Sequence, residues 1–147
     1  MTQLRVGQKK WDDALHYGDR FFECFPIIEP ADWHFYSIMY LYMSWTHMHK
    51  NDGEKAYAWA KKGLEMFPDD LDLNFMLATV GWMSKREDIM KEHAENYFLL
   101  LPKARKEGLF DSDAFENPAW AGDWTNRTVY TSDKVNEDRL RKMMEEF

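Results

Sequence analysis

A chain of 147 residues holds one domain or a short array of repeats, and a hydrophobic fraction of 45%, with ten Phe, seven Trp and seven Tyr, is enough to build a core. The net charge of −7, from 19 basic and 26 acidic residues, argues against nonspecific binding to nucleic acid through phosphate contacts. The lone cysteine, Cys24, excludes an internal disulfide and fits a reducing, cytoplasmic setting, and the first ten residues lack the apolar run of a signal peptide.

The first eight residues make a weak start, with Leu4 and Val6 as anchors and Gly7 interrupting. From Trp11 the pattern turns helical: Trp11, Ala14, Leu15, Gly18, Phe21, Phe22 and Phe25 recur on one face. Asp12 and Asp13 suit the dipole at its start, and Pro26 stops it. His16 has Asp12 four residues back, the spacing of a surface ion pair. Cys24 sits near the helix end, beside Phe25, and reads as a small structural residue rather than a nucleophile.

Pro30 is placed to open the next helix, which runs to about Lys50 and is apolar nearly all round. Such a helix is covered on more than one side. One face holds Tyr40, Met43, Ser44 and His47; another holds Ile38, Leu41, Trp45 and Met48. The stretch is too short and too polar to span a bilayer, which needs about 20 apolar residues. Asn51-Asp-Gly53 makes a turn, and the partner helix occupies about 54–67, ending at Pro68. A further pair is expected at about 71–83 and 87–101, with Pro102 as its stop.

After Pro102 the regularity decays. Residues 109–130 are irregular yet rich in aromatics (Phe110, Phe115, Trp120, Trp124), unlike a disordered linker. Residues 133–147 form a last helix anchored by Val135, Leu140, Met143, Met144 and Phe147. The expected division is 1–102 for the helical pairs and 103–147 for an extension packed on them.

The two central pairs repeat each other. The interval from Pro68 to Pro102 equals that from Ala60 to Ala94, and that from Ser44 to Ala78. Ala14, Phe21 and Pro26 fall where Ala56, Gly63 and Pro68 fall, so 11–26 is the second helix of a unit whose first helix is reduced to residues 1–8. A period of about 34 residues with helix–turn–helix content resembles the tetratricopeptide repeat family, here over roughly residues 8–102. The resemblance implies an all-α fold of about two and a half repeats, and a peptide groove lined by the first helices. Carried onto this sequence, the groove positions are Ile38, Leu41, Trp45, Met48 and His49 in one repeat. In the next they are Asp72, Phe75, Thr79, Trp82 and Met83. Members that grip carboxylate tails use Lys, Arg and Asn there; Leu41 and Trp45 suit an apolar helix or strand instead. Gly81 stands where the family usually has an aromatic, and is expected to leave space beside the groove.

No catalytic, cofactor or metal pattern is found. His47 and His49 point about 200° apart on a helix, and neither a His-Glu-x-x-His nor a phosphate-loop motif occurs. The acidic pairs Asp12/Asp13, Asp69/Asp70 and Glu145/Glu146 sit at helix ends, where solvation accounts for them. The expected function is therefore non-enzymatic: a protein or peptide partner held in the groove, as an adaptor or chaperone. The alternatives are a scaffolding domain for an enzyme on another chain, and small-ligand binding through Trp120 and Trp124. Short repeat arrays need about three units and a cap. Cover is thus expected from a homodimer or from the extension, with residues 109–130 laid over Trp45, Phe75 and Trp82.

Overall fold

The apolar runs at 34–49 and 71–83 are long enough for more than three helical turns, and both become helices. The computed structural model describes residues 2–24, 34–106 and 133–147. Among them are seven helices and no strand: α1 (Thr2–Gly7), α2 (Trp11–Cys24), α3 (His34–His49), α4 (Gly53–Met66), α5 (Leu71–Met83), α6 (Glu87–Lys106) and α7 (Asp133–Glu146). None of these helices is long and apolar enough to cross a membrane. The aromatic segment 109–130, and with it the expected cover over Trp45, Phe75 and Trp82, lies outside the described residues.

The turns repeat as the sequence does. Lys9, Asn51 and Lys85 each adopt a left-handed backbone, with φ of 56°, 59° and 59°. The residue after each one donates its N–H to a carbonyl five positions back: Lys10 to Arg5 at 2.9 Å, Asp52 to His47 at 2.9 Å and Arg86 to Gly81 at 2.8 Å. This closure satisfies carbonyls that a helix end would otherwise leave bare. Asn51 and Lys85 are separated by the same interval as Pro68 and Pro102.

The helices pack in an alternating order. α3 lies against α1, α2, α4 and α5, while α5 lies against α3, α4, α6 and α7. α5 is therefore covered on two sides, and its residues Leu71 and Leu73 to Gly81 are all buried. Met76, Leu77 and Val80 enter one cluster with Ala56 and Ala60 of α4. Leu71, Phe75 and Ala78 enter a second, with Met90, Ala94, Tyr97, Leu101 and Ala104 of α6 and Leu140 of α7. Burying one such Leu or Phe contributes about 1.5–3 kcal/mol. Small residues set the close approaches: Met43 of α3 packs its sulfur onto Gly18, and the Tyr40 ring packs onto Gly63. Phe22, Tyr40 and Trp59 then join α2, α3 and α4, with ring centroids 4.7–6.1 Å apart.

Four sequence expectations change. α6 does not stop at residue 101 but continues through Pro102 to Lys106. Pro102 loses one backbone bond, and the burial of Leu101 and Ala104 against α7 holds the last turn in place. Gly81 leaves no space on its α6 side, because a Cβ there would stand 2.6 Å from the backbone nitrogen of Met90. Asp70 is not a solvated turn residue; it is 5% exposed. Cys24 is exposed rather than packed. Asp12, besides, pairs with Lys50 at the end of α3.

Candidate interaction surface

The expected groove positions divide into two groups. Leu41, Trp45 and Met48 are half-buried and pack against the α4–α5 cluster, and Ile38 is half-buried on the same helix. His49 is exposed at the end of α3, its ring stacked 4.4 Å from Trp11 at 3°, with Trp45 edge-on at 5.1 Å. This contact joins the start of α2 to the end of α3. Spacing alone could not show it, since Trp11 and His49 stand at the far ends of successive helices.

The second group lies on α5 and meets α7. Phe75 belongs to the cluster closed by Leu140, and Trp82, Met143 and Met144 pack around its edge. Thr79 is buried and donates its hydroxyl to the Phe75 carbonyl at 2.9 Å. Lys85 lies over the Trp82 ring, 5.7 Å from its centroid, and Met83 is 53% exposed. Phe75 thus shares a cluster with Leu140 of the chain's own last helix, and Trp82 packs against that cluster. At the rim Arg105 donates to Glu137 at 2.6 Å, and Arg141 donates to the other oxygen at 3.0 Å. The Glu137 side chain is only 11% exposed, whereas both arginines are about half exposed.

Between α4 and the α5–α6 turn runs an open cleft of about 480 Å³ lined by Tyr57, Val80, Gly81, Ser84, Arg86 and Ile89, among others. A smaller one of about 160 Å³ adjoins it beside Met48 and Met83. Tyr57, Arg86 and Ile89 are not among the groove positions that the sequence offered; Arg86 stands in the turn between α5 and α6.

A polar string runs through the packed interior and was also missed. Asp70 caps α5 by accepting from the Leu73 N–H at 2.9 Å, and it takes a further hydrogen bond from the Ser37 side chain. Burial pushes its carboxyl up to about 6 despite these bonds. Asp72, half-buried in the first turn of α5, is pushed well above the ordinary range by burial and by the Asp70 charge. Asn74 donates to the Asp70 carbonyl at 2.9 Å, and its side-chain oxygen lies 3.2 Å from His93 Nδ1. His93 is 1% exposed, its Nε2 has no hydrogen-bond partner, and burial holds its pKa below the ordinary value. For Asn74 a signal was available, since it stands inside an otherwise apolar helical run. Among the described residues no group of three His, Cys, Asp or Glu side chains could hold a metal ion.

Compared with known proteins, the chain matches no family model, and no curated protein or solved structure is significantly similar to it.

Proposed function

We propose that the chain is a tetratricopeptide-like helical-repeat module that binds an apolar helix or peptide of another protein, and that it is not an enzyme. The fold reading is supported by the turn that recurs at Asn51 and Lys85, one sequence period apart, and by the packing of α3 on α5. The observation that carries the binding reading is the seating of α7. An amphipathic helix already sets Leu140 into the cluster that holds Phe75, with Trp82 packed beside that cluster, so a helix of this kind fits there sterically and chemically. Ile38, Leu41, Trp45, Met48, His49 and Thr79 are the other residues assigned to the binding face.

The test is a titration of the full chain with a panel of amphipathic helical peptides, followed by intrinsic tryptophan fluorescence. At least one peptide is expected to bind, and Trp82→Ala and Trp45→Ala are expected to weaken it at least tenfold without loss of helix content. Failure of every peptide, or binding indifferent to both substitutions, overturns the reading.

A further inference from the structure

α7 packs on α5 and α6. On α5 ten residues are buried. Among the described side chains of α7, Leu140 is the apolar one that is fully enclosed, and Glu137 is the polar one next in burial, at 8% exposure. Met143 and Met144 cover the margin; Asp138, Arg139, Arg141, Lys142, Glu145, Glu146 and Phe147 face outward. The contacts thus form a short pattern: Glu137, then Leu140 three residues later, then Met143 and Met144. Those spacings place all four on one helical face. The carboxylate meets Arg105, and the leucine enters the pocket formed by Leu71, Phe75, Ala78 and Tyr97.

We infer that the α5–α6 surface beneath α7 is a docking site for a partner helix that carries this same pattern, and that α7 is its built-in competitor. The inference rests on the reading of the chain as a helix-binding module. It specifies the ligand chemistry: an amphipathic helix with an acidic residue one turn ahead of a leucine, and a methionine pair one turn after it. A strand or an extended peptide cannot present Glu, Leu and Met at those spacings on one side. The charged end gives direction, since a reversed helix would set its acid away from Arg105. Competition follows from the covalent link. Residues 107–132 tether α7 to α6, so the local concentration of the resident helix is fixed and a partner sees only the fraction of molecules with α7 undocked. Weakening α7 in its own chain must therefore strengthen binding of the same helix added from outside.

The experiment uses the full chain and a labelled synthetic peptide of residues 133–147, read by fluorescence anisotropy. The Leu140→Ala chain is expected to bind the peptide at least tenfold more tightly than the wild-type chain does, while a Leu140→Ala peptide binds neither. Introducing Arg105→Glu into the Leu140→Ala chain should abolish the gain, and a Glu137→Arg peptide should restore it. Far-UV circular dichroism checks folding; if Leu140→Ala does not fold, a Glu137→Arg chain, in which α7 is repelled by Arg105, takes its place. Folded variants that bind no more tightly than wild type overturn the inference. So does a wild-type dimer that the peptide dissociates, because the occupant is then the helix of a second copy. An unrelated amphipathic peptide that binds the Leu140→Ala chain equally well refutes the pattern and leaves the module reading standing. If no helical peptide binds any variant, both fall.

Discussion

Tyr40 rests directly on Gly63: a Cβ added to the glycine would stand 2.7 Å from Tyr40 Cβ and 3.0 Å from Leu73 Cδ1. The contact is where α3, α4 and α5 meet, so its tightness governs three helices at once. Gly63→Ala would gain about 1 kcal/mol of helix propensity against an overpacking cost of about 1–3 kcal/mol. A net loss is expected, read as a lower urea midpoint. Gly81→Ala should cost more, because its nearest neighbour is the Met90 backbone nitrogen at 2.6 Å, which cannot rotate away. Equal losses at the two sites would show that α6 can shift freely.

Asp70 predicts an unusual pH response. Its carboxyl sits at about 6 in the fold against an ordinary 3.8, so the folded chain holds a proton that the unfolded chain releases between those values. The stability from this group is fullest below about pH 3.8, falls as pH rises towards 6, and stays lost above it. Asp70→Asn keeps the N-cap and removes the buried charge. It is expected to stabilise the protein at pH 7 by about 1–3 kcal/mol, with the gain vanishing near pH 4. Denaturant titrations at the two pH values decide it; a loss at pH 7 would mean that the carboxylate's own hydrogen bonds outweigh its burial.

His93 and His47 act in the opposite sense. Burial lowers both below the ordinary 6.5, so the unfolded chain takes up protons that the folded chain refuses. Their contribution is present above pH 6.5 and is lost as pH falls below it. In an Asp70→Asn background, which removes one opposing carboxylate and the charge that helps to raise Asp72, His93→Gln should flatten the loss of stability between pH 7 and pH 5. An unchanged slope would show that His93 is protonated without opening its site.

Ser44 and Ala78 test whether the repeat extends to single atoms. Ser44 donates its hydroxyl to the Ala56 carbonyl at 2.7 Å, out of contact with solvent. Ser44→Ala is expected to cost about 1 kcal/mol. If Met90, which stands one period after Ala56, offers its carbonyl in the same way, Ala78→Ser should cost less than about 1 kcal/mol. An unsatisfied buried hydroxyl would cost about 1–3 kcal/mol, so a thermal melt separates the two outcomes.

The sequence made the helices legible and some of their roles illegible. α4 follows the Asn51-Asp-Gly53 turn and α5 falls at Leu71–Met83, both as expected, because turn chemistry and helical period agree there. The two faces of α3 also separate as expected: Tyr40, Met43, Ser44 and His47 are buried, while Ile38, Leu41, Trp45 and Met48 are half-covered. The end of α6 was misjudged because proline marks a local penalty, and the burial that overrides it comes from α7, far along the chain. Asp70 was misjudged for a related reason. A capping aspartate looks the same in sequence whether water or Ser37 lies above it. Gly81 lines an open cleft, yet the backbone of α6 closes on the place its own side chain would take, and a missing side chain does not say which of the two to expect. Around Phe75, cover from the 103–147 extension was expected, but sequence did not say that Leu140 would be the residue to enter the cluster.

The line from Ser37 through Asp70 and Asn74 to His93 has a consequence for how the helices find their alignment. Apolar faces are forgiving: if α6 slid one turn along α5, about 5.4 Å, methionine would still meet leucine at little cost. The same slide would carry His93 away from Asn74 and strand two polar groups in the dry interior. Each stranded group costs about 1–3 kcal/mol, enough to make the shifted arrangement a rare one. A wholly apolar replacement of these residues would then be tolerated in energy and would surrender uniqueness, giving several near-equal alignments in place of one. In this chain the greasy surfaces supply adhesion, and four buried polar side chains supply the address.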